Sequence, residues 1–256
     1  MQYHTVDDYE ETMFIPEEIK EDPVPDDPVT VFLSREGYFK KITPQSLRMS
    51  SEQKYKEGDT LRRSQETTNS HEFLFFTDRQ QVYRMRLCDL EGTKASLLGS
   101  YLPTILKMDE NENVVDMVDA ADYSGVILLA FANGKLAYIP LDAYKTKTNR
   151  RKLMNAYSDK SPLVGVELLY DSADVVLYTD DDRALVLNTA LLSLKPTRTT
   201  QGVSVASLRG KRQIKRMALL DQSGLTDASR YRARNIPKAP VVLKPEDKGE
   251  EQLSLL

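Results

Sequence analysis

The sequence predicts an all-β fold, a circular propeller-type disc of about four blades with four strands each. Three observations lead there. A strand–turn–strand pattern recurs four times, as VTVFLSREGYFKKI (29–42), HEFLFFTDRQQVYRM (71–85), GVILLAFANGKLAYI (125–139) and DVVLYTDDDRALVL (174–187). Aligned on their turns, Gly37, Gln80, Gly134 and Asp182 are equivalent, at offsets of 43, 54 and 48 residues. Each hairpin is then followed by a connector and a further apolar segment, and a repeat of that length built on hairpins marks a circular array.

The first two elements of each unit are the hairpin strands. The second position after the turn is Phe39, Val82, Leu136 or Ala184, and the fifth is Ile42, Met85, Ile139 or Leu187. Both columns are apolar in every copy, so they should face the blade core. The fourth position is Lys41, Arg84, Tyr138 or Val186, and Lys40 and Arg86 add charge in the first two copies. Positive charge on this strand therefore weakens along the array, and the first two blades are expected to hold a polyanion best.

The connectors and the segments after them supply the remaining strands. EGTKASLLGSYL, KTKTNRRKL and KPTRTTQGVSV each place a base within three residues of a Thr, at Lys94, Arg150 and Arg198. The third unit's connector is the most basic, with Lys145, Lys147, Arg150, Arg151 and Lys152 inside eight residues. DTLRRSQET, NVVDMVDA, PLVGVELL and IKRMALL are read as the further strands, which fits four blades between residues 29 and 220.

The flanks differ in kind. Residues 1–28 carry ten acids and one base together with Pro16, Pro23, Pro25 and Pro28, which describes an acidic linker or arm. Such an arm would compete with a polyanion for the body or serve as a solvated linker; Phe14 and Ile15 are its apolar anchors. Residues 221–256 form a largely irregular C-terminal tail with a candidate strand at Val241–Leu243, either a flexible arm or one packed on the last blade. The net charge of −4 averages over these segments, whereas residues 29–220 hold 28 bases and 23 acids. A basic body with an acidic arm is the informative statement.

Catalytic constellations are scarce. His4 and His71 lie far apart, one Cys and two His give no recognisable metal spacing, and neither common glycine-rich phosphate loop is present. Asp180-Asp181-Asp182 falls in the turn column and is read as a hairpin turn rather than a cation site. No catalytic site and no cofactor are expected in this chain. The single Cys88 and the lack of an export signal or a long apolar run fit a cytoplasmic chain with no membrane partner. Bases in periodic places let a curved surface follow a phosphate backbone by charge neutralisation, without reading bases. With no Trp and the aromatics at core positions, duplex DNA suits this surface better than single strands. The candidate phosphate contacts are Arg35, Lys40, Lys41, Arg84, Arg86, Lys94, Lys145, Lys147, Arg150, Arg151, Lys152 and Arg198. The competing reading is a propeller-type protein-interaction scaffold with no nucleic-acid role.

VTVFLSREGYFKKITPQSL, FLFFTDRQQVYRMRLCDL, KTNRRKL and TQGVSVASL, in that order and spacing, resemble the C-terminal domain of the A subunit of bacterial type IIA topoisomerases, gyrase and topoisomerase IV. The likeness spans roughly residues 29–220, and Phe14-Ile15-Pro16-Glu17 resembles the segment that joins this domain to the breakage–reunion core. The resemblance implies a β-pinwheel, a propeller-like disc whose blades exchange strands and whose basic rim binds and bends duplex DNA. It implies as partners the breakage–reunion core and the ATPase subunit, in a nucleoid-associated enzyme whose catalytic tyrosine lies outside this domain. The A subunits of gyrases carry a Q-R-R-G-G-x-G box after the first hairpin; here SLRMSSEQKYKEGDT stands there, with Arg62-Arg63 beyond it. That departure moves the resemblance toward topoisomerase IV or a divergent gyrase-like subunit, and leaves open on sequence grounds both gyrase against topoisomerase IV activity and whether DNA is wrapped with a definite hand. Gln252-Leu253-Ser254-Leu255-Leu256 resembles the peptide by which bacterial replication proteins dock on the sliding clamp.

Overall fold

The computed structural model describes residues 23–148 and 150–248. In chain order the strands are β1 (Pro28–Ser34), β2 (Tyr38–Ile42), β3 (Leu61–Thr68), β4 (Glu72–Thr77), β5 (Val82–Arg86), β6 (Ser100–Tyr101), β7 (Val114–Asp119) and β8 (Val126–Phe131). They continue as β9 (Lys135–Pro140), β10 (Lys152–Leu153), β11 (Leu163–Leu169), β12 (Asp174–Thr179), β13 (Arg183–Asn188), β14 (Val203–Ser204), β15 (Ile214–Leu219) and β16 (Val241–Val242). Three short helices punctuate them, α1 (Pro44–Met49), α2 (Leu102–Ile105) and α3 (Ala228–Tyr231).

The strands form four antiparallel four-stranded sheets, ordered β3-β1-β2-β6, β10-β5-β4-β7, β11-β8-β9-β14 and β15-β12-β13-β16. Each sheet is one blade of a ring. The hairpin lies in the middle, and the long strand that follows a connector (β3, β7, β11 or β15) pairs on one side of it. The fourth strand is short and comes from elsewhere: β6, after the second hairpin, pairs with β2 of the first blade. In the same way β10 pairs with β5 and β14 with β9, so each blade borrows its last strand from the connector beyond the next hairpin.

Local chemistry repeats with this topology. The four turn residues Gly37, Gln80, Gly134 and Asp182 all have positive φ, between 54° and 90°. Glycine adopts that region at no steric cost and Asp more readily than most, so the Asp180–Asp182 run is a hairpin turn. The pairing between the central hairpin and its long partner slips by one residue at the same place in every blade, at Leu33/Ser34, Phe76/Thr77, Leu163/Gly165 and Tyr178/Thr179. Such bulges increase local twist, as the curved blades of a disc require.

The two apolar columns turn inward as expected, but being three positions apart on a strand they lie on opposite faces of the blade, so that Leu136 and Ile139 enter different inter-blade cores. Phe39, Val82, Leu136, Ala184, Ile42, Ile139 and Leu187 are buried, and Met85 packs half-buried on the first of three inter-blade cores. That core joins blades 1 and 2 through Val31, Leu33, Phe39, Phe73 and Phe75, with the Phe39 and Phe75 rings edge to face at 5.2 Å. The second joins blades 2 and 3 through Phe76, Ile127, Leu129 and Phe131, and the third joins blades 3 and 4 through Leu128, Ala130, Leu177 and Leu187.

A fourth cluster packs the C-terminal segment on the last blade. The far face of blade 4 presents Val176, Tyr178 and Val186, which are covered by Tyr231 and Leu243. The strand β16 from this segment pairs with β13, at the candidate strand position and in the slot that borrowed strands fill elsewhere. Arg232 clamps Asp174 at 2.9 and 2.7 Å, and the buried carboxylate of Asp247 accepts from the Tyr231 hydroxyl at 2.6 Å. The folded disc therefore runs past residue 220, because an apolar blade face with no following blade needs a cover. The Phe14–Glu17 segment and the Gln252–Leu256 peptide lie outside the described residues.

Candidate nucleic-acid interface

The disc has a defined inside and outside. The long strands approach one another in the order β3–β7–β11–β15. At their meeting point the Arg63 guanidinium of β3 donates to both carboxylate oxygens of Asp116 on β7 (2.8 and 2.9 Å) and to Glu167 on β11 (3.1 and 3.0 Å). These strands are the hub. The borrowed strands β6, β10, β14 and β16 lie at the opposite edge of each sheet, so they and their connectors form the outer rim.

The candidate contacts divide sharply when placed on this frame. Lys40 and Lys41 are 2% and 8% exposed. The Lys40 ammonium donates to the carbonyls of Lys54 and Ala95 and to Gln53 Oε1, at 2.8, 3.0 and 3.1 Å, and lies 5.4 Å from the Tyr55 ring centre. Lys41 donates to Asn69 Oδ1 and the Leu87 carbonyl, both at 2.7 Å. Burial pushes both amines below the ordinary lysine range. Their donors are spent on backbone carbonyls, so the expectation that they meet phosphate is corrected: they pin the first connector and the start of the second hairpin. In blade 1 the charge on the second strand thus belongs to the interior of the fold, whereas in blade 2 Arg84 is half-buried and Arg86 exposed.

Other candidates are held by partners. Arg84 faces Glu72 at 3.2 Å and donates to Thr146, while the Tyr123 hydroxyl also donates to Glu72. Arg198 donates to the Ala143 carbonyl at 2.9 Å with its guanidinium 5.9 Å from the Tyr144 ring centre. Arg86 pairs with Asp89 and Lys152 with Asp109. The Lys152 pair holds the Asp109 carboxyl below its ordinary range, with help from Gln81. Arg84, Arg86 and Lys152 are thus partly neutralised by carboxylates before any ligand arrives, while Arg198 is oriented by a carbonyl and a ring without losing its charge.

The connector bases stand differently. Lys94, Lys145, Lys147, Arg150 and Arg151 are exposed on the rim, and Arg35 is exposed beside the first turn. Among the described residues no side-chain hydrogen bond or ion pair engages them, apart from the Lys145 amine lying 5.9 Å from the Tyr123 ring centre. Lys195 also belongs here: it shares its connector with Arg198 and is the more exposed of the two. Arg209 and Lys211, exposed in the turn before β15, are missing from the sequence-based candidates, although RGKRQIKR is among the most basic runs of the chain.

Beside the rim, a cleft of about 500 Å³ opens between the end of α2 and strand β5. Its walls carry Arg84, Arg86, Lys107 and Arg151 together with the carboxylates of Glu72 and Asp89, and its apolar lining is Met85, Leu90, Ile105 and Leu106. Two glycines set the joints at which borrowed strands begin. Gly99 and Gly202 have φ of +88° and +75°, and a Cβ on either would drive into the backbone carbonyl of Phe39 or Leu136.

The fold and rim define a propeller-like pinwheel whose blades are linked by exchanged strands. Solved structures with this architecture include the C-terminal domains of DNA topoisomerase IV and of E. coli ParC. A crystal structure of the C-terminal domain of DNA topoisomerase IV matches with TM-score 0.66 and 22% identity, covering 79% of this chain and 64% of that one. The E. coli ParC C-terminal domain matches with TM-score 0.61 and 13% identity over 86% of this chain and 95% of that one. At those identities the likeness speaks for the fold. In sequence, the chain is 25% identical over 206 residues to the A subunit of DNA gyrase from Streptomyces coelicolor, covering 74% of this chain and 24% of that protein. It is 26% identical over 179 residues to the A subunit of DNA topoisomerase 4 from Staphylococcus epidermidis, covering 68% of this chain and 22% of that protein. The chain thus spans about a quarter of the length of the curated relatives it matches. No protein-family model matches it. Its homologues are the A subunits of gyrase and topoisomerase IV, matched over their C-terminal part. No helix among the described residues is long and apolar enough to cross a membrane.

Proposed function

We propose that this chain is a non-catalytic duplex-DNA-binding and bending module belonging to the A subunit of a type IIA topoisomerase, working through backbone contacts on its outer rim. The observation that carries the reading is the sorting of charge. The rim connectors hold Lys94, Lys145, Lys147, Arg150 and Arg151 in solvent, while the strand lysines turn inward. A convex basic edge suits a bent duplex, since successive phosphates can be neutralised as the helix follows the curve. The breakage–reunion core and the ATPase subunit would be its partners, contributing the chemistry of supercoiling, relaxation or decatenation in the bacterial cytoplasm. The stretch that stands where gyrases carry the glycine-rich box is clipped down by Lys40 and by the Lys54 amide on the Ala95 carbonyl.

The test is a filter-binding titration of short duplexes of unrelated sequence across salt. Sequence-tolerant affinity that falls steeply as salt rises supports the reading; no affinity at low salt, or affinity indifferent to salt, overturns it. A nicked circle sealed by ligase in the presence of the protein then reports whether bound DNA takes a definite hand.

A further inference from the structure

We propose that the cleft beside α2 is a docking site for the acidic N-terminal segment of this same chain, with Phe14 and Ile15 as the apolar anchor. The cleft combines two features. Leu90, Ile105 and Leu106 give an apolar floor, and Ile105 is 39% exposed despite its size. Around it Arg84 pairs with Glu72 and Arg86 with Asp89, so the charge left over is that of Lys107 and Arg151. Among the described residues no side-chain hydrogen bond or ion pair engages Lys107 or Arg151, and both are exposed. A ligand that suits this surface brings an apolar side chain with carboxylates on either side of it.

Residues 1–22 have that composition. They hold eight acids and one base, and Met13-Phe14-Ile15 sits between Glu10-Glu11 and Glu17-Glu18. The reach is adequate. The chain enters the disc beside the second hairpin, where Asp26 accepts from the Ser70 hydroxyl and the Asp27 carbonyl accepts from the Asn69 amide at 2.8 Å. One residue on, the His71 carbonyl accepts from Leu87 at 2.9 Å, and Leu87 opens the turn that carries Asp89 and Leu90 into the cleft. Pro23 lies nine residue steps after Phe14, which extended would reach about 30 Å. The tether therefore holds the segment at high effective concentration over the cleft. This proposal concerns contacts within one chain and does not rest on the DNA reading.

The test uses the full chain without nucleic acid, carrying a photoreactive phenylalanine analogue at position 14. The expected result is an intramolecular cross-link that maps to residues 85–90 or 102–107. Its yield should fall at least fivefold in the double variant Ile105→Glu, Lys107→Glu, and should also fall as salt is raised towards about 1 M. Both substituted positions are exposed, so an unchanged melting temperature is expected, and Lys195→Glu serves as the rim control. Cross-links to another surface, cross-links between molecules alone, no cross-link, or a yield unaffected by the double variant would each overturn the proposal.

Discussion

Arg63 Nη2 lies 3.0 Å from Glu167 Oε1, joining residues 104 apart in sequence and placing blade 1 in direct contact with blade 3. Asp116 of blade 2 takes the other edge of the same guanidinium, and Arg62 approaches it at 3.7 Å. Three blades thus share one cation at the hub. Burial alone would lower the Arg63 pKa, yet the paired carboxylates lift it further above its ordinary range. Burial is also the main reason the Glu167 carboxyl stands above its usual range, opposed by Arg63.

Removing this cation should cost more than removing a surface pair. Arg63→Ala leaves two largely buried carboxylates facing each other, and we expect a loss of about 3 kcal/mol. Glu167→Gln keeps an acceptor and deletes a carboxylate whose ionised form burial disfavours, so it should be clearly milder. Because its folded pKa is raised, Glu167 favours the folded state at low pH, and that contribution fades as pH rises through the folded value. A double-mutant cycle by urea denaturation, run on either side of that transition, measures both effects.

Lys40 and the rim bases should separate stability from binding. Lys40→Ala removes three hydrogen bonds that hold the first connector and should lower stability by about 2 kcal/mol. It should leave the affinity of the folded protein for DNA unchanged. The triple variant Lys147→Glu, Arg150→Glu, Arg151→Glu should do the reverse, lowering affinity at least tenfold and flattening the salt slope with no shift in melting temperature. Titration and calorimetry on the same samples check the pair.

The glycine joints make a steric prediction. Gly202→Ala combines a left-handed φ with a Cβ against the Leu136 carbonyl, and should destabilise by about 2 kcal/mol or more. Gly210→Ala has positive φ of +63° but open space, and should cost about 1 kcal/mol. Thermal denaturation ranks the two.

The C-terminal cover should loosen in acid. Arg232 holds the Asp174 carboxyl below its ordinary range. Burial opposes the same shift at Asp247, but hydrogen bonds from Thr226 and Tyr231 outweigh it and hold that carboxyl low. A depressed folded pKa stabilises above the unfolded value of about 4 and loses that contribution as pH falls through the folded value. Hydrogen exchange should therefore show residues 226–247 losing protection below about pH 4, ahead of the inter-blade strands. Arg232→Met should raise the pH at which this happens.

Much of the fold was legible because hairpins are local. Apolar alternation and turn residues with positive φ are written within about fourteen residues, and four copies average out the noise of any one. The borrowed strands were far less legible. Two-residue segments such as Ser100–Tyr101 or Val241–Val242 carry no periodicity, and their partners lie in a hairpin already passed, about sixty residues back. The site divided along the same line. Lys147 and Arg150 lie in a polar connector, where composition alone implies exposure. Lys40 and Lys41 lie in a strand flanked by Phe39 and Ile42, and which carbonyls would receive their ammonium groups depends on Ala95 and Leu87, tens of residues away. The Arg63 clamp is a long-range fact of the same sort.

The borrowed strands also put inheritance out of step with architecture. A stretch of sequence copied from one hairpin to the next yields a central pair and a hub strand, but the rim strand it contains belongs to its predecessor. No single cut of the chain releases one whole blade, so a blade cannot be transplanted or deleted as a cassette without orphaning a strand on each side. The unit that can be duplicated is the interval between neighbours. The terminal segment that closes blade 4 is what such an array needs wherever duplication stops, and shortening the array would mean moving that terminator rather than excising a sheet.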